Sequence, residues 1–571
     1  MDRIKIVSAL IICMFAALAL GLFNHIVLRG RAYRALSKKN SIRLISQAGS
    51  RGNILGRSGE IIAGSRLSYD VLLLPQDAGL ETPALKELAA VLGIDFQILQ
   101  RYYVNGYIAP SIPVVIAKNI DVKKAIAVAE LKSEFLSILV RATPLRHYPY
   151  GKLAAHVLGY VNEIDRWRLT KLEDYGYKTK DIVGFGGVEE KYDYYLRQEE
   201  GGLSVEVDHR GKLVRTLGFR QPVNGKDLQL TLDLQLQKIT EEKLYGRKGA
   251  VIIMHPGSGE ILAMASSPDF NPALFVNKDS AAIREIIEDT DSVLTNRAIS
   301  SAYPPGSIFK VIVAAAALEL KKINLSRAFV CAGKVFIGRQ EFRCWSIHGR
   351  QNLVKAIAHS CNIFFYGTGL LLGGQPIHDY ALKFGLSRNT AFELPYEEPG
   401  FIPSPLWKRL NRFGRWYPGD TANMSIGQGE ILATPLQMSR MIAVFANQGF
   451  LVNPYIVKSV AGNELNVNHK KAQSLSLNKD TISYIRRGLR DAVLDPNGTA
   501  NILSTLKVNV AGKTGTAQAP PGAAHAWFVG FFPFNQPRYV ICVFLERGAG
   551  GSAAAAVAKQ IIDGMQSGGL V

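Results

Sequence analysis

The chain has 571 residues, of which 47% are hydrophobic, 9% aromatic and 20% charged. This length gives room for roughly two to four domains, and the apolar content excludes a disordered or low-complexity chain. Lysine and arginine (67) exceed the acidic residues (47) by 20, which predicts an anionic partner: nucleic acid, an acidic membrane surface or an acidic polymer. Five cysteines in so long a chain exclude a scaffold built on disulfides.

The first predicted element is an apolar helix at residues 6–23, which carries no charge. Its length is close to what a helix needs to cross a hydrocarbon core of roughly 30 Å. No small-x-small cleavage site follows Phe23, so an uncleaved anchor is favoured over a signal peptide or a buried core helix. Basic residues are more numerous after this helix than before it, and this count alone would place the C-terminal side in the cytoplasm. No second stretch of comparable length follows, so we expect the rest of the chain on one side of the membrane.

Residues 30–220 are predicted to mix short strands and helices. Residues 84–99 have helical spacing, residues 72–74 are a short strand candidate, and residues 204–208 alternate as a strand does. No catalytic constellation is present in this part of the sequence.

The pattern changes near residue 220. Strands are predicted at 227–232, 249–254, 260–265, 525–532 and 538–545, and helices at 234–244, with Asp233 as N-cap, and at 553–565. Strands at both ends with a helix-rich middle predict one α/β domain over 221–571.

A candidate nucleophile lies at the start of the most apolar of these helices. Ser307 follows a Pro-Pro-Gly turn, and Lys310 lies one helical turn further on, ahead of the apolar run 311–318. Burial lowers the pKa of a lysine so that it can act as a base, and a helix N-terminus favours negative charge beside Ser307. The alternative is an N-cap serine with a surface lysine. A second Ser-x-x-Lys, at Ser476 and Lys479, is interpreted as a solvated helix start.

Two further motifs decide between these interpretations. Ser360-Cys361-Asn362 lies 53 residues after Ser307 (360 − 307), and Lys513-Thr514-Gly515-Thr516 lies 153 residues after Ser360 (513 − 360). Ser-x-x-Lys, Ser-x-Asn and Lys-Thr-Gly in this order form the serine acyl-transferase signature of penicillin-binding proteins and β-lactamases. A nucleotide P-loop ending at 512–514 is excluded, because the glycine it needs five positions earlier is Lys507.

On these motifs the chain resembles a class B penicillin-binding protein, a membrane-anchored peptidoglycan DD-transpeptidase. The resemblance covers nearly the whole chain and includes residues 51–59, 186–189, 230–233, 259–264, 427–429, 433–437 and 525–528. One departure is Gly56, where the family's first motif usually has aspartate, and it concerns the packing of the N-terminal region. The resemblance implies a transmembrane anchor at 1–29, an elongated α+β pedestal of the dimerisation type at 30–220 and, at 221–571, a penicillin-binding/β-lactamase-like transpeptidase domain with an antiparallel sheet flanked by helices.

The resemblance also implies roles for the motif residues. Ser307 would attack the penultimate D-Ala carbonyl of a stem pentapeptide, Lys310 would take its proton, and Ser360 would relay a proton to the leaving amine. Asn362 would bind the substrate amide. Lys513 and Thr514 would face the terminal carboxylate, Gly515 and Thr516 would lie on the strand that pairs with the substrate, and the N–H groups of Ser307 and Thr516 would form the oxyanion hole. β-Lactam antibiotics would acylate the same serine.

Three cysteines and one histidine, residue types that bind metals, are clustered in the sequence. They are Cys331, Cys344, His348 and Cys361, with 12, 3 and 12 residues between them. They match a tetrahedral Cys₃His zinc site in ligand type and number. The resemblance implies a metal site here as well, since some elongation-type members of the family have one, with aspartate at one or two of these positions. We therefore expect a structural zinc ion that holds the Ser360 motif in place and that no chemical step requires. One disulfide plus a spare thiol, or inert buried cysteines, are the alternatives.

The resemblance implies an elongation enzyme of the penicillin-binding protein 2 type, which acts on peptidoglycan stem peptides outside the cytoplasm and binds no nucleic acid. The chain would be a single-pass protein of the bacterial inner membrane with an extracytoplasmic catalytic domain, against the charge count given above. Glycan polymerisation would fall to a SEDS-family polymerase among the membrane proteins of the elongation complex. A division-specific relative, a DD-carboxypeptidase, a β-lactam sensor and a non-catalytic morphogenesis scaffold are the alternatives.

Overall fold

The structure is a computed structural model that describes residues 2–31, 33, 42–75, 83–108, 112–135, 137–208, 213–464 and 472–571. From the N-terminus its helices and strands are α1 (Asp2–Phe23), β1 (Ile42–Gln47), β2 (Ile54–Leu55), β3 (Ile61–Leu73), α2 (Pro83–Leu92), α3 (Phe96–Gly106), β4 (Val114–Ile120), α4 (Val122–Glu130) and β5 (Ile138–His147). There follow α5 (Ala155–Leu158), β6 (Tyr160–Glu163), α6 (Arg166–Leu172), β7 (Ile182–Phe185), α7 (Gly187–Lys191), α8 (Asp193–Leu196), β8 (Gly201–Val207) and β9 (Leu213–Arg220).

The middle of the chain contains β10 (Leu228–Leu230), α9 (Leu234–Leu244), β11 (Gly249–Met254), β12 (Ile261–Ser267), α10 (Ala273–Asn277), α11 (Ser280–Glu288), α12 (Lys310–Glu319), β13 (Phe329–Cys331), β14 (Lys334–Ile337), β15 (Gln340–Arg343), β16 (Gly349–Gln351), α13 (Leu353–Ala358), α14 (Asn362–Leu372) and α15 (Gly374–Lys383). The last part contains α16 (Pro405–Asn411), α17 (Pro418–Ser425), α18 (Pro435–Ala446), β17 (Phe450–Leu451), β18 (Val457–Val460), β19 (Asn463–Glu464), β20 (Gln473–Ser474), α19 (Lys479–Leu494), β21 (Ala511–Ala517), β22 (His525–Phe532), β23 (Tyr539–Leu545) and α20 (Gly551–Ser567). Short 3₁₀ turns occupy Leu131–Ser133, Glu173–Tyr175, Gly306–Phe309 and Asn501–Thr505, and a π-helical turn, Asn24–Leu28, extends α1.

The chain divides into two compact units that are interleaved in sequence. The first unit comprises Met1–Arg51, Ser65–Leu145 and Gln198–Gly225, and the second comprises Gly52–Gly64, Arg146–Arg197 and Lys226–Val571. The predicted boundaries at residues 29 and 220 stay a prediction.

Among its described residues, the first unit contains one helix, Arg3–Leu28, that is long and apolar enough to cross a membrane, with a mean hydropathy of 2.7. This helix fits the predicted single-pass anchor. Elsewhere in the unit, α2, α3 and α4 pack with β4 around a small apolar core. The single helix predicted for 84–99 is wrong. Gly93 adopts a left-handed φ of 68° after α2, and the Asp95 carboxylate accepts the Gln97 and Ile98 N–H groups and so begins α3.

The second unit is built on a five-stranded antiparallel sheet in the order β12-β11-β23-β22-β21. Strands β11, β12, β22 and β23 are largely apolar because both of their faces are covered, whereas the edge strand β21 carries polar residues. Ile252 and Met254 belong to the larger core beneath α12 and α18, whereas Val251 and Ile253 belong to the core beneath α9 and α20. The predicted antiparallel sheet flanked by helices is therefore confirmed. The helix predicted at 234–244 has those bounds, and the Asp233 carboxylate caps it by accepting the Leu236 N–H at 2.9 Å.

Candidate active site

The nucleophile candidate lies on a tight turn pressed against strand β21. Ser307 is half-buried in the 3₁₀ turn Gly306–Phe309, which leads directly into α12. Gly306 has a φ of 56°, and a Cβ there would lie 2.6 Å from the carbonyl oxygen of Thr516. Only glycine permits this approach, which brings the backbone of the first motif against that of the third. The Trp527 indole N–H donates to the Pro304 carbonyl at 2.9 Å and holds the turn from the neighbouring strand.

Lys310 joins the first motif to the second. Its side chain is fully buried, and Nζ lies 2.7 Å from the Ser360 carbonyl oxygen, 2.7 Å from Asn362 Oδ1 and 3.2 Å from Ser360 Oγ. The Asn362 amide is oriented by both of its ends, because Nδ2 donates to the Arg343 carbonyl at 3.1 Å. The buried apolar run predicted after Lys310 is confirmed: the residues from Val311 to Ala317 of α12 are buried.

The second motif presents both Ser360 oxygens to Lys310 because its backbone is unusual. Ser360 has a φ of 54°, in the left-handed region that a residue with a side chain seldom adopts. Ser360 lies in the short connection between α13, which ends at Ala358, and α14, which begins at Asn362. The left-handed conformation turns the carbonyl and the hydroxyl of one residue toward the same amine, an arrangement that a continuous helix does not allow.

The third motif lies on β21, which is at the edge of the five-stranded sheet. Lys513 is fully buried and its ammonium donates to the Thr514 carbonyl at 3.0 Å. Thr516 is exposed; its Oγ1 accepts the Gly551 N–H at 3.0 Å, and its carbonyl accepts the Gln428 side-chain amide at 3.3 Å. A Cβ at Gly515 would lie 2.9 Å from the Pro305 carbonyl oxygen, a second close contact between β21 and the Ser307 turn.

Burial weakens the hold of both lysines on their protons. Loss of hydration lowers the pKa of Lys310 to about 8, against the opposing effect of Cys344 and Cys361. Burial also lowers the pKa of Lys513 well below its usual value, and the positive charge of Lys310 adds to this effect. Lys310 is therefore partly neutral near physiological pH, which is the form that can accept a proton.

The four predicted metal ligands come together beside the second motif. Sγ of Cys331, Cys344 and Cys361 and a ring nitrogen of His348 all lie within 4.8 Å of one another, and His348 Nδ1 is 3.5 Å from both Cys331 Sγ and Cys344 Sγ. The three thiols are free, so the disulfide alternative is not formed in this structure. The hydrogen bond with Cys361 lowers the pKa of Cys344 to about 4, and the same bond, together with burial, raises the pKa of Cys361. A thiolate, two further sulfurs and an imidazole suit a soft divalent ion such as zinc.

Two contributors to the site were not predicted. Gln428, which donates to the Thr516 carbonyl, follows Gly427, whose carbonyl accepts the Gly306 N–H of the nucleophile turn at 2.9 Å. The Gly-Gln-Gly sequence signals a tight turn but does not reveal which strand it meets. The second is the Arg343 carbonyl, which belongs to β15 and carries no sequence signal. Ser476 and Lys479 are both exposed at the start of α19, as predicted for the second Ser-x-x-Lys.

These groups define a serine acyl-transferase of the penicillin-reactive class. The helical side supplies a serine, a buried amine and a hydroxyl–amide pair, and the edge strand supplies a second amine. Residues 249–563 match the penicillin-binding protein transpeptidase domain, and residues 46–230 match the penicillin-binding protein dimerisation domain. The chain belongs to the penicillin-binding protein transpeptidase family and, within it, to the class B, penicillin-binding protein 2 type.

The relatives extend over nearly the whole chain. Peptidoglycan D,D-transpeptidase MrdA of Acinetobacter baumannii is 32% identical over 93% of this chain and 82% of its own length. MrdA of Escherichia coli K12 is 29% identical, covering 97% of this chain and 92% of its own. Penicillin-binding protein 2 of Helicobacter pylori, solved in complex with MreC, superposes with a TM-score of 0.80 at 27% identity and covers 93% of this chain and 99% of its own. A chain from a peptidoglycan synthase complex superposes with a TM-score of 0.74 at 29% identity and covers 98% of both chains.

Proposed function

We propose that this protein is a serine D,D-transpeptidase that cross-links peptidoglycan stem peptides during cell-wall elongation, and that β-lactams acylate its Ser307. The observation that carries the proposal is the environment of Lys310, a fully buried amine whose two shortest contacts are to oxygen acceptors. A neutral amine has two N–H groups and one lone pair. The Ser360 carbonyl and Asn362 Oδ1, both at 2.7 Å, use the two N–H groups, which leaves the lone pair to accept a proton.

In the acylation step the Ser307 hydroxyl proton passes to Lys310 Nζ while Oγ attacks the penultimate D-Ala carbonyl. When the tetrahedral intermediate collapses, the C–N bond to the terminal D-Ala breaks and its amine receives a proton from Lys310 through the Ser360 hydroxyl. The amine of a neighbouring stem then attacks the ester, returns a proton by the same route, and forms the cross-link as Ser307 is released. General acid–base help of this kind contributes roughly 10²- to 10⁴-fold to rate.

Substrate binding is assigned to the edge strand. We propose that the stem peptide lies along β21, that Lys513 and Thr514 face its terminal carboxylate, and that the N–H groups of Ser307 and Thr516 stabilise the developing oxyanion. The close contact of the Gly306 turn with β21 supports this pairing of donors. One such donor contributes about 2.7–4 kcal/mol to the transition state. The Asn362 amide, already anchored to Lys310 and to the Arg343 carbonyl, would contact the substrate amide.

Covalent labelling tests the chemistry. A fluorescent penicillin should label the full-length protein on the tryptic peptide that contains Ser307, and Ser307→Ala should abolish the label while leaving the melting temperature unchanged. Labelling on another peptide would contradict the assignment. With two stem peptides as substrates, a cross-linked dimer is the expected product, whereas a tetrapeptide monomer alone would indicate a carboxypeptidase. Normal growth and shape with Ser307→Ala as the sole copy would indicate a scaffold.

We also propose that the Cys₃His cluster of Cys331, Cys344, His348 and Cys361 holds a structural zinc ion. When bound, the ion would cross-link β13, the β15–β16 segment and the start of α14, and it would take no part in a chemical step. Cys361 lies between Ser360 and Asn362, so the four ligands would fix the second motif. Metal analysis of protein purified under reducing, chelator-free conditions should find one zinc per chain, and Cys331→Ser should lose it.

The single-pass anchor and the elongation-type assignment lead to a proposal for orientation and partners. Stem peptides are found outside the cytoplasm, so the second unit would be extracytoplasmic, and a SEDS-family polymerase would supply the glycan strand. Cysteine accessibility in whole cells tests orientation: a cysteine introduced at the exposed Tyr245 should react with a membrane-impermeant maleimide. Protection of that cysteine until the cells are lysed would contradict the orientation.

A further inference from the structure

A strongly basic segment lies beside the catalytic turn and is not used in the mechanism above. Between residues 399 and 419 the chain carries four basic residues and no acidic one: Lys408, Arg409, Arg412 and Arg415. They lie on α16 and on the loop that leads to α17. We call residues 404–417 the basic ledge.

Two of these four cations are paired and two are not. Lys408 Nζ lies 2.6 Å from the Asp420 carboxylate, and Arg412 Nη2 lies 3.1 Å from the Glu430 carboxylate. Arg409 and Arg415 are exposed, and their side chains make no ion pair or hydrogen bond with the described part of the chain. Unpaired guanidinium groups on a surface are available to bind carboxylates in a bidentate manner.

Exposed apolar side chains accompany the unpaired arginines. Phe413 is 94% exposed, Leu410 62% and Tyr417 59%. A large ring that is almost fully exposed between Arg412 and Arg415 lowers solubility without stabilising the fold, and such patches mark interaction sites. Aromatic faces alternating with guanidinium groups can contact both the apolar faces and the charged groups of a peptide–sugar polymer.

The ledge is tied to the nucleophile turn through one short segment. Arg412 pairs with Glu430, and two residues earlier Gln428 donates to the Thr516 carbonyl of β21 at 3.3 Å. A Cβ at Gly427 would lie 2.2 Å from the Gly306 carbonyl oxygen, so this segment lies directly against the Ser307 turn. The ledge therefore lies close to the rim of the acylation site.

We propose that the basic ledge binds the acidic peptidoglycan strand that carries the reacting D-Ala–D-Ala dipeptide, outside the dipeptide itself. Arg409 and Arg415 would pair with carboxylates of that strand. This inference rests on the proposed function and extends it from the reacting dipeptide to the polymer that carries it. An anionic membrane surface is the competing partner. Attachment to the nucleophile turn favours the strand, since a polymer that reacts at Ser307 must pass this rim.

The test uses the full chain in nanodiscs of phosphatidylcholine, which carry no net charge. The probe is a soluble, uncross-linked glycan strand bearing pentapeptides, and binding is measured by fluorescence anisotropy. Arg409→Glu/Arg415→Glu should bind the strand about tenfold more weakly than the parent, with the milder Arg409→Gln/Arg415→Gln in between. The parent should lose about the same affinity when the strand carboxylates are amidated, or when salt is raised to 0.5 M.

Lys321→Glu/Lys322→Glu is the matched control, because both lysines are exposed and lie beyond the far end of α12 from Ser307. It changes the net charge equally and should leave strand binding unchanged. Penicillin labelling of Ser307 reports on the proposed function separately. Normal labelling with unaltered strand binding in the glutamate variant overturns the ledge proposal, whereas absent labelling in the parent overturns the proposed function. Weakened binding to phosphatidylglycerol vesicles, with strand binding intact, would assign the ledge to the membrane and overturn the proposal.

Discussion

Replacing Asn362 by aspartate tests whether Lys310 is the general base. Asn362 Oδ1 lies 2.7 Å from the buried Nζ, so a carboxylate there would stabilise the ammonium form. An opposite charge at this distance raises a pKa by about 1 to 3. Since burial sets the pKa of Lys310 near 8, the amine of the variant should titrate between about 9 and 11. At pH 7 its neutral fraction, and with it the acylation rate, should fall about 10- to 1000-fold.

The assay is the second-order rate constant for acylation by a fluorescent penicillin, measured from pH 6 to 10. A neutral base is lost as pH falls, so the parent rate should rise with pH, with its midpoint at about 8, and then level off. The Asn362→Asp curve should have its midpoint at higher pH, so its rate should still be rising toward the parent plateau at the pH where the parent rate has levelled off. Asn362→Ala is the control, since it removes the hydrogen bond without adding charge and should lower the rate without raising the midpoint. Identical midpoints for the aspartate variant and the parent would refute the assignment of Lys310 as the base.

Three further outcomes are expected. Glu189→Gln should lower the free energy of unfolding by about 3–5 kcal/mol in chemical denaturation, because the Arg146 side chain, 2.6 Å away and only 3% exposed, would become a buried charge without its counter-ion. The control is Glu199→Gln, which breaks an exposed ion pair with Arg220 and should cost less than about 1 kcal/mol. Equal losses in the two variants would contradict the argument. Gly306→Ala should slow penicillin acylation at least about 100-fold at unchanged expression, since the new Cβ would lie only 2.6 Å from the Thr516 carbonyl oxygen. Near-normal labelling would show instead that the turn can move away from β21. Chelation of a bound metal should lower the melting temperature and the acylation rate together, and a change in only one of them would separate the cluster from the second motif.

Several features of the second unit could be predicted from local sequence. The bounds of α9 follow from its Asp233 cap, and strands β11, β12, β22 and β23 follow from largely apolar runs that are buried on both faces. The helix expected at 84–99 failed for a local reason as well: Gly93 and Asp95 are a stop signal and a start signal that the apolar spacing on either side obscured. The interleaving of the two units could not be predicted, because it depends on which distant segments pack together.

For the candidate site, the order of the motifs identified the reactive residue types, and the tertiary structure determined what each one touches. The motif shows that a lysine is present. Its contact with the Ser360 carbonyl, however, depends on the left-handed φ of Ser360, which no pattern in the sequence predicts. The Arg343 carbonyl and Gln428 were missed for the same reason: backbone groups and tight turns acquire a function only from the surface they are packed against.

The sequence by itself determined the chemistry available to this protein: one serine, two lysines, a second serine with its asparagine, and a set of soft metal ligands. The tertiary structure alone decided that burial would bring the pKa of Lys310 to about 8, that three cysteines and a histidine separated along the chain would meet within 4.8 Å, and that two arginines would stay unpaired at the rim of the acylation site. The physical reason is that residue type sets which bonds and charges are possible, whereas hydration and distance, which set their strength, exist only after the chain has packed.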